Sequence, residues 1–171
     1  KGPAGTPALA IGRTLYLEGK QGGGVPLVAR RAGGLTISGA EAACVSCHRR
    51  SGFGGAEGRS YIPPVASASL FKAMLPGTGA SASGIGRPAY TDSTLARAIR
   101  AGIDPSGRRL DYLMPRYELN DAEMKSLIAY LRQLSTQPPV GVEADVLEFG
   151  TIVAPGVAPE TGEPVTASLT R

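Results

Sequence analysis

The sequence predicts an all-α fold of about four to five short helices with one small β-hairpin. Three segments carry helix signals: residues 7–18, residues 91–101 and the stretch after Asn120. Proline near the first turn favours the first helix, and Gly102 terminates the second. Asn120 and Glu123 match a capping box at the start of the third. Apolar residues recur along this last helix at helical spacing: Met124, Leu127, Ile128, Leu131 and Leu134.

The β-hairpin is expected between the first helix and the cysteine motif. Two strand-like runs, residues 25–29 and 35–37, flank the turn at residues 30–34. At 171 residues, one domain with an appendage is the expected organisation. The predicted parts are an N-terminal arm, a folded domain that contains the hairpin segment, and an extended C-terminal tail: residues 1–7, 8–137 (with 19–43 as the inserted hairpin) and 138–171.

The most informative stretch is the run from Cys44 to His48, which reads Cys-Val-Ser-Cys-His. It contains both cysteines, Cys44 and Cys47, and the only histidine of the chain. The C-x-x-C-H pattern indicates covalent attachment of haem. Each thiol can add to one vinyl group of the porphyrin and form a thioether. His48, the next residue, would then direct its imidazole at the iron.

Two other interpretations of the motif compete with haem attachment. A redox-active dithiol requires a strand that ends in the motif, whereas residues 38–43 are small and polar. A structural zinc ion requires four nitrogen or sulfur ligands, and the chain has only three cysteine and histidine residues in total. Haem attachment is therefore the prediction, and the dithiol is the main alternative.

The composition agrees with a bulky prosthetic group. The chain has no tryptophan and only 5% aromatic residues, so few large side chains can fill a core. The formal charge of +4 favours an acidic partner, with an attraction that salt weakens. The absence of a basic helix and of interleaved aromatic and basic residues argues against nucleic-acid binding. No apolar run approaches the roughly 18 residues of a membrane-spanning helix.

The C-x-x-C-H motif, Met114-Pro115 and the final helix together resemble the class I cytochrome c domain, from about Ala8 to Leu134, apart from two inserted loops. The resemblance implies the cytochrome c fold around one covalent haem c. It also implies electron transport and an extracytoplasmic, periplasmic location, and the chain looks like a mature exported form. In this family the first helix crosses the last where a small residue faces an aromatic one, and Gly12 and Tyr130 fit that pair.

The resemblance also implies which residues surround the haem. His48 is the expected axial ligand, and the carbonyl of Pro63 or Pro64 is expected to accept the proton on its far nitrogen. Arg87 and Tyr90 are the expected hydrogen-bond donors to a haem propionate. No residue is assigned a catalytic role.

The second axial position has three methionine candidates, because a second histidine does not exist in the chain. Met124 lies on the apolar face of the last helix, where core packing is expected. Met114 stands in a loop before that helix, where the family places its ligand. Met74 is the alternative ligand, and an open sixth position is a further alternative.

The expected function is an extracytoplasmic mono-haem c-type cytochrome that transfers single electrons through a His/Met-ligated iron. It would act either freely or as the haem subunit of a dehydrogenase or oxidase complex, with redox proteins as partners. Two alternatives stay open at this point. One is a peroxidase-like or gas-binding haem protein with an open sixth site, and the other is a thiol-disulfide oxidoreductase.

Overall fold

The computed structural model describes residues 7–58, 60–77, 85–136 and 146. The chain divides into two compact units, residues 1–137 and 138–171. Except for Pro7 and Val146, the predicted N-terminal arm and C-terminal tail lie outside the described residues. All elements described below belong to the first unit.

The described residues contain five α-helices and two short 3-10 helices. The α-helices are α1 (Pro7–Glu18), α2 (Val45–His48), α3 (Ser67–Leu70), α4 (Asp92–Ala101) and α5 (Asp121–Gln133). The 3-10 helices span Gly22–Gly24 and Gly39–Ala42. None of the helices in the described residues has the length and hydropathy that crossing a membrane requires.

The predicted capping box of the last helix is confirmed. Asn120 Oδ1 accepts a hydrogen bond from the Glu123 amide at 2.9 Å, and Glu123 Oε2 accepts one from the Asn120 amide at 3.2 Å. Gly102 ends α4 in the left-handed conformation, with φ of 68°. The sequence therefore determines both boundaries locally, since capping groups satisfy backbone donors and acceptors that the helix leaves free.

Helices α1 and α5 cross at Gly12. A Cβ atom at this position would lie 2.1 Å from the Ser126 carbonyl oxygen and 2.8 Å from Tyr130 Cβ. The Tyr16 and Tyr130 rings pack one turn away, with 5.4 Å between their centroids. The expected contact between Gly12 and Tyr130 is confirmed, and it brings the two helix backbones closer than any larger residue would allow.

The described part of the chain also contains five short strands. They are β1 (Val28–Arg30), β2 (Thr36–Ser38), β3 (Gly55–Glu57), β4 (Ser60–Ile62) and β5 (Arg116–Tyr117). Strands β1 and β2 form the predicted hairpin, and β5 pairs with the other side of β1, which gives an antiparallel sheet of order β2-β1-β5. Strands β3 and β4 form a second antiparallel pair. The prediction of an all-α fold was too narrow, because it left out β3, β4 and β5.

The core lies among α1, α4, α5 and the inner residues of the β1–β2 hairpin. Its largest fully buried side chains are Tyr16, Leu15 and Leu27. The inner face of α4 is buried through Leu95, Ala98 and Ile99. This core surrounds one side of a cavity, which the next subsection describes.

Candidate functional site

A cavity of about 600 Å³ lies within the first unit. Its walls come from α2, the segment that follows β4, the inner faces of α4 and α5, and the loop between these two helices. The volume falls in the range of about 300–1,000 Å³ typical of ligand sites. All eight predicted site residues line it: Cys44, Cys47, His48, Pro63, Pro64, Arg87, Tyr90 and Met114.

The cysteine motif forms one helical turn at the cavity wall. Cys44 precedes α2 and already has helical backbone angles, and its carbonyl accepts the His48 amide at 2.9 Å. The turn ends at Arg49, whose φ of 65° redirects the chain. The Arg49 carbonyl accepts a hydrogen bond from the Tyr16 hydroxyl at 2.7 Å. This bond ties the end of the motif to α1.

His48 is buried, with 6% of its surface exposed, and its Nδ1 lies 3.0 Å from the Pro63 carbonyl oxygen. A carbonyl can only accept, so Nδ1 carries the proton and Nε2 keeps its lone pair. Burial lowers the pKa of His48, and the Pro63 bond opposes this effect only in part. The imidazole is therefore neutral at pH 7, with one nitrogen fixed and the other available as a ligand. Of the two candidate prolines, Pro63 provides the carbonyl.

Neither cysteine takes part in a disulfide bond, and both are partly buried. Burial raises the pKa of the Cys44 thiol to about 12. Catalytic cysteines of thiol-disulfide oxidoreductases have pKa values below that of a free cysteine, because the thiolate is the reactive form. The environment of Cys44 thus works against the dithiol alternative. Among the described residues, no group of three or more His, Cys, Asp or Glu side chains is arranged to hold a metal ion.

Two of the three methionines reach the cavity. Met74 and Met114 both line it, whereas Met124 is a core residue with 3% of its surface exposed. Met114 also packs against the core, and its amide donates to the Asp111 carbonyl at 3.2 Å. Met74 is held through backbone hydrogen bonds with Arg87, at 2.9 Å in each direction.

Arg87 and Tyr90 stand together at the cavity wall. The Arg87 guanidinium lies 4.5 Å from the centroid of the Tyr90 ring. It also donates to the carbonyls of Ser69, Leu70 and Pro88. The structure therefore brings the two predicted residues to the site, with the arginine already engaged by the backbone.

Six charged lining residues were missed by the sequence reasoning: Arg31, Glu41, Asp104, Arg108, Arg109 and Asp111. Asp104 is buried and forms a 2.8 Å ion pair with Arg108. The spacing of four residues between these opposite charges is the feature of the sequence that could have indicated the pair. Arg31 belongs to the hairpin turn. Among the described residues, its Nε is the only buried side-chain nitrogen or oxygen without a hydrogen-bond partner.

These residues fit a haem group. The cavity combines two thiols, an imidazole with a free nitrogen, two thioethers and a mostly apolar lining. The unpartnered Nε of Arg31 is a donor that a negatively charged group on the ligand would satisfy. A site of this kind offers nitrogen and sulfur to iron and apolar contact to a macrocycle.

Comparison with known proteins gives one match. The family model described as cytochrome c matches residues 34–135, which is more than half of the 171 residues. The match begins just before β2 and ends shortly after α5, so α1 and β1 lie outside it. No curated protein matches, and no solved structure matches.

Proposed function

The chain belongs to the cytochrome c family, and from this premise we propose that it is an extracytoplasmic mono-haem cytochrome that transfers single electrons between redox proteins. Membership implies a covalent haem c, for which Cys44 and Cys47 provide the attachment motif. When bound, the haem supplies an iron that alternates between Fe(II) and Fe(III). The convergence of both thiols, His48 and Met114 on one cavity is the observation that carries the proposal.

His48 is the proposed first axial ligand, through Nε2. Its hydrogen bond to Pro63 fixes the tautomer and the plane of the ring. A carbonyl acceptor at Nδ1 also increases the basicity of the nitrogen that faces the metal. Since the ring is buried, its orientation has little freedom to change between oxidation states.

Met114 is the proposed second axial ligand. The neutral, soft thioether favours Fe(II) and raises the reduction potential. Burial acts in the same direction, because an apolar environment solvates the extra charge of the ferric state poorly. Met114 packs against the core, and Met74 does not belong to that cluster, which supports Met114 over Met74.

The proposed partners are redox proteins with an acidic docking surface. Residues 1–137 contain 17 lysine and arginine residues against 9 aspartate and glutamate residues, a net formal charge of +8. Residues 138–171 contain 1 against 5, a net charge of −4. The moderate overall charge of +4 thus conceals a strongly basic haem-binding unit. Such a charge increases the rate of encounter with an acidic protein, and salt weakens the effect.

Absorption spectra of methionine variants test the ligand assignment. Met114→Ala should lose the low-spin spectrum and the weak sulfur-to-iron band at the red end, because the iron loses its sulfur ligand. Met74→Ala and Met124→Leu should keep both features and serve as matched controls. If Met114→Ala is unchanged and Met74→Ala is altered, the ligand is Met74 and the assignment is wrong.

A further inference from the structure

The β1–β2 hairpin pairs with the segment that carries Met114. Strand β5 begins two residues after Met114, and its register with β1 places Ala29 opposite Tyr117 and Arg30 opposite Arg116. We propose that the hairpin holds the Met114 loop, residues 111–118, against the cavity and thereby limits the access of competing ligands to the sixth position of the iron. This inference rests on the ligation by Met114 in the proposed function.

Backbone bonds carry the contact between the hairpin and the loop. The Glu118 amide donates to the Val28 carbonyl at 3.4 Å. Along an antiparallel pair, every second residue directs its amide and carbonyl towards the partner strand. Val28 and Arg30 therefore direct their backbone groups towards β5. The Arg31 amide donates to the Leu35 carbonyl at 2.8 Å, so Arg31 and Ala29 direct theirs towards β2.

Side-chain contacts on both faces of the β1–β5 pair, one buried and one exposed, accompany the backbone bonds. Ala29 is fully buried, and Tyr117 is 6% exposed, so water is excluded from one face of the β1–β5 pair. On the other face, Arg30 Nε donates to Glu118 Oε1 at 2.8 Å, but both side chains are 61% exposed. An exposed ion pair of this kind contributes little. The backbone bonds and the buried face are thus the main attachment.

The loop is also fixed on its other side, near the end of α4. Arg116 donates to the carbonyl of Met114 and, at 3.4 Å, to that of Pro115. Its guanidinium occupies the space over Gly102, where a Cβ atom would lie 2.0 Å away. Asp111 closes the beginning of the loop, because its side chain accepts the Leu113 amide at 2.8 Å. Met114 therefore sits between two anchored points.

The pairing matters because the connection between α4 and α5 has little other regular structure in the described residues. β5 is its only strand. Segments with few backbone pairs open at a low cost in free energy. An external ligand can bind the iron only when Met114 has left, so its apparent affinity is proportional to the fraction of open molecules. Strand β1, which reduces that fraction, lies outside the part of the chain that the family model matches.

Free imidazole titrated into the full-length ferric holoprotein tests the proposal. Arg30→Pro removes an amide that points at β5, which should weaken the pairing and tighten imidazole binding by about tenfold, the effect of one lost hydrogen bond. Thr36→Pro is the matched control. Thr36 lies opposite Arg30 on the edge strand, so its amide points away from β1, and proline is tolerated there. Its imidazole affinity should stay within about twofold of the unmutated protein.

The proposal is overturned if Arg30→Pro binds imidazole no more tightly than Thr36→Pro does. If Arg30→Pro does not retain haem, amide hydrogen exchange of the unmutated protein decides instead. Saturating imidazole should then accelerate exchange of the Glu118 amide, because ligand exchange and strand opening are coupled in both directions. Unchanged protection of Glu118 would contradict the proposal.

Met114→Ala separates this inference from the ligand assignment on which it rests. If Met114 is the ligand, this variant should bind imidazole much more tightly than the unmutated protein and should be insensitive to a second Arg30→Pro change. If Met114→Ala binds imidazole as the unmutated protein does, the ligand assignment fails. If Met114→Ala binds tightly but Arg30→Pro does not, only the role of the hairpin fails.

Discussion

The Tyr16 hydroxyl donates a 2.7 Å hydrogen bond to the carbonyl of Arg49, the residue directly after the motif histidine. Tyr16 is fully buried, and burial raises its pKa well above the usual value, so the hydroxyl keeps its proton and remains a donor. A single bond thus connects α1, which lies outside the family match, to the end of the haem-attachment turn.

Removing this hydroxyl should destabilise the protein. Tyr16→Phe removes one of two donors to the Arg49 carbonyl, which keeps its 3.2 Å bond from the Gly52 amide. We therefore expect the free energy of unfolding to fall by about 0.5–1.5 kcal/mol, the net contribution of one hydrogen bond. Tyr112→Phe is the control, because Tyr112 is 64% exposed and its change should have an effect of less than about 0.5 kcal/mol. Denaturant unfolding of the holoprotein measures both. Equal stability of the two variants would mean that the bond does not contribute.

The crossing of α1 and α5 should not tolerate a larger residue than glycine. In Gly12→Ala the new methyl group would overlap the Ser126 carbonyl, which belongs to the backbone and cannot move aside alone. We expect a loss of about 1–3 kcal/mol in the free energy of unfolding. The neighbouring exposed change Arg13→Ala should be nearly neutral. If Gly12→Ala unfolds at the same denaturant concentration as the unmutated protein, α1 and α5 do not pack as closely at Gly12 as described.

The ion pair of Asp104 and Arg108 should stabilise the loop at the polar part of the cavity. Arg108→Gln leaves the buried Asp104 carboxylate without its charged partner, and we expect a loss of about 1.5–3 kcal/mol. Arg109→Gln changes the adjacent arginine, for which no ion pair is seen in the described part of the chain, and provides the control. Thermal unfolding of the two holoproteins compares them. If both changes lower the stability equally, the loss comes from the removal of a positive charge, and the ion pair with Asp104 makes no specific contribution.

The basic haem-binding unit should make electron transfer depend on salt and on the sign of the reagent's charge. A small anionic iron complex should oxidise the ferrous protein more slowly as ionic strength rises, because salt screens the attraction. A cationic cobalt complex should react faster under the same change. Stopped-flow absorbance measures both rates. The same salt dependence for both reagents would contradict a positively charged electron-transfer surface.

The sequence was sufficient for those features that depend on local chemistry. The Asn120 capping box, the end of α4 at Gly102 and the contact of Gly12 with Tyr130 all follow from short patterns or from the family resemblance, and the structure contains each of them. The β1–β2 hairpin also has a local signal, because two strand-like runs flank a turn that contains two glycines.

Other features depend on distant contacts that a linear pattern does not contain. Strand β5 has only two residues and exists because β1 lies beside it. Pro63 and Pro64 both fit the expected distance in sequence from His48, and only the folded chain shows that the Pro63 carbonyl faces the imidazole. Arg31 reaches the cavity from the hairpin turn, a position that composition alone does not reveal.

Strands β3 and β4 lie in and directly after a glycine-rich stretch that gives no strand signal in the sequence. Residues 55–57 and 60–62 form these strands although glycine weakens strand propensity. Pairing between the two strands overrides that propensity, and it leads the chain directly into Pro63 at the cavity wall.

The most direct test of the account is whether haem is covalently attached at Cys44 and Cys47. The pyridine haemochrome spectrum of the protein, with its intact mass after acid denaturation, should show one haem bound through two thioethers. Cys44→Ala should shift the haemochrome spectrum to that of a single thioether, and a double Cys44→Ala, Cys47→Ala variant should release its haem. A colourless protein with two free thiols and the mass of the bare polypeptide would contradict the account.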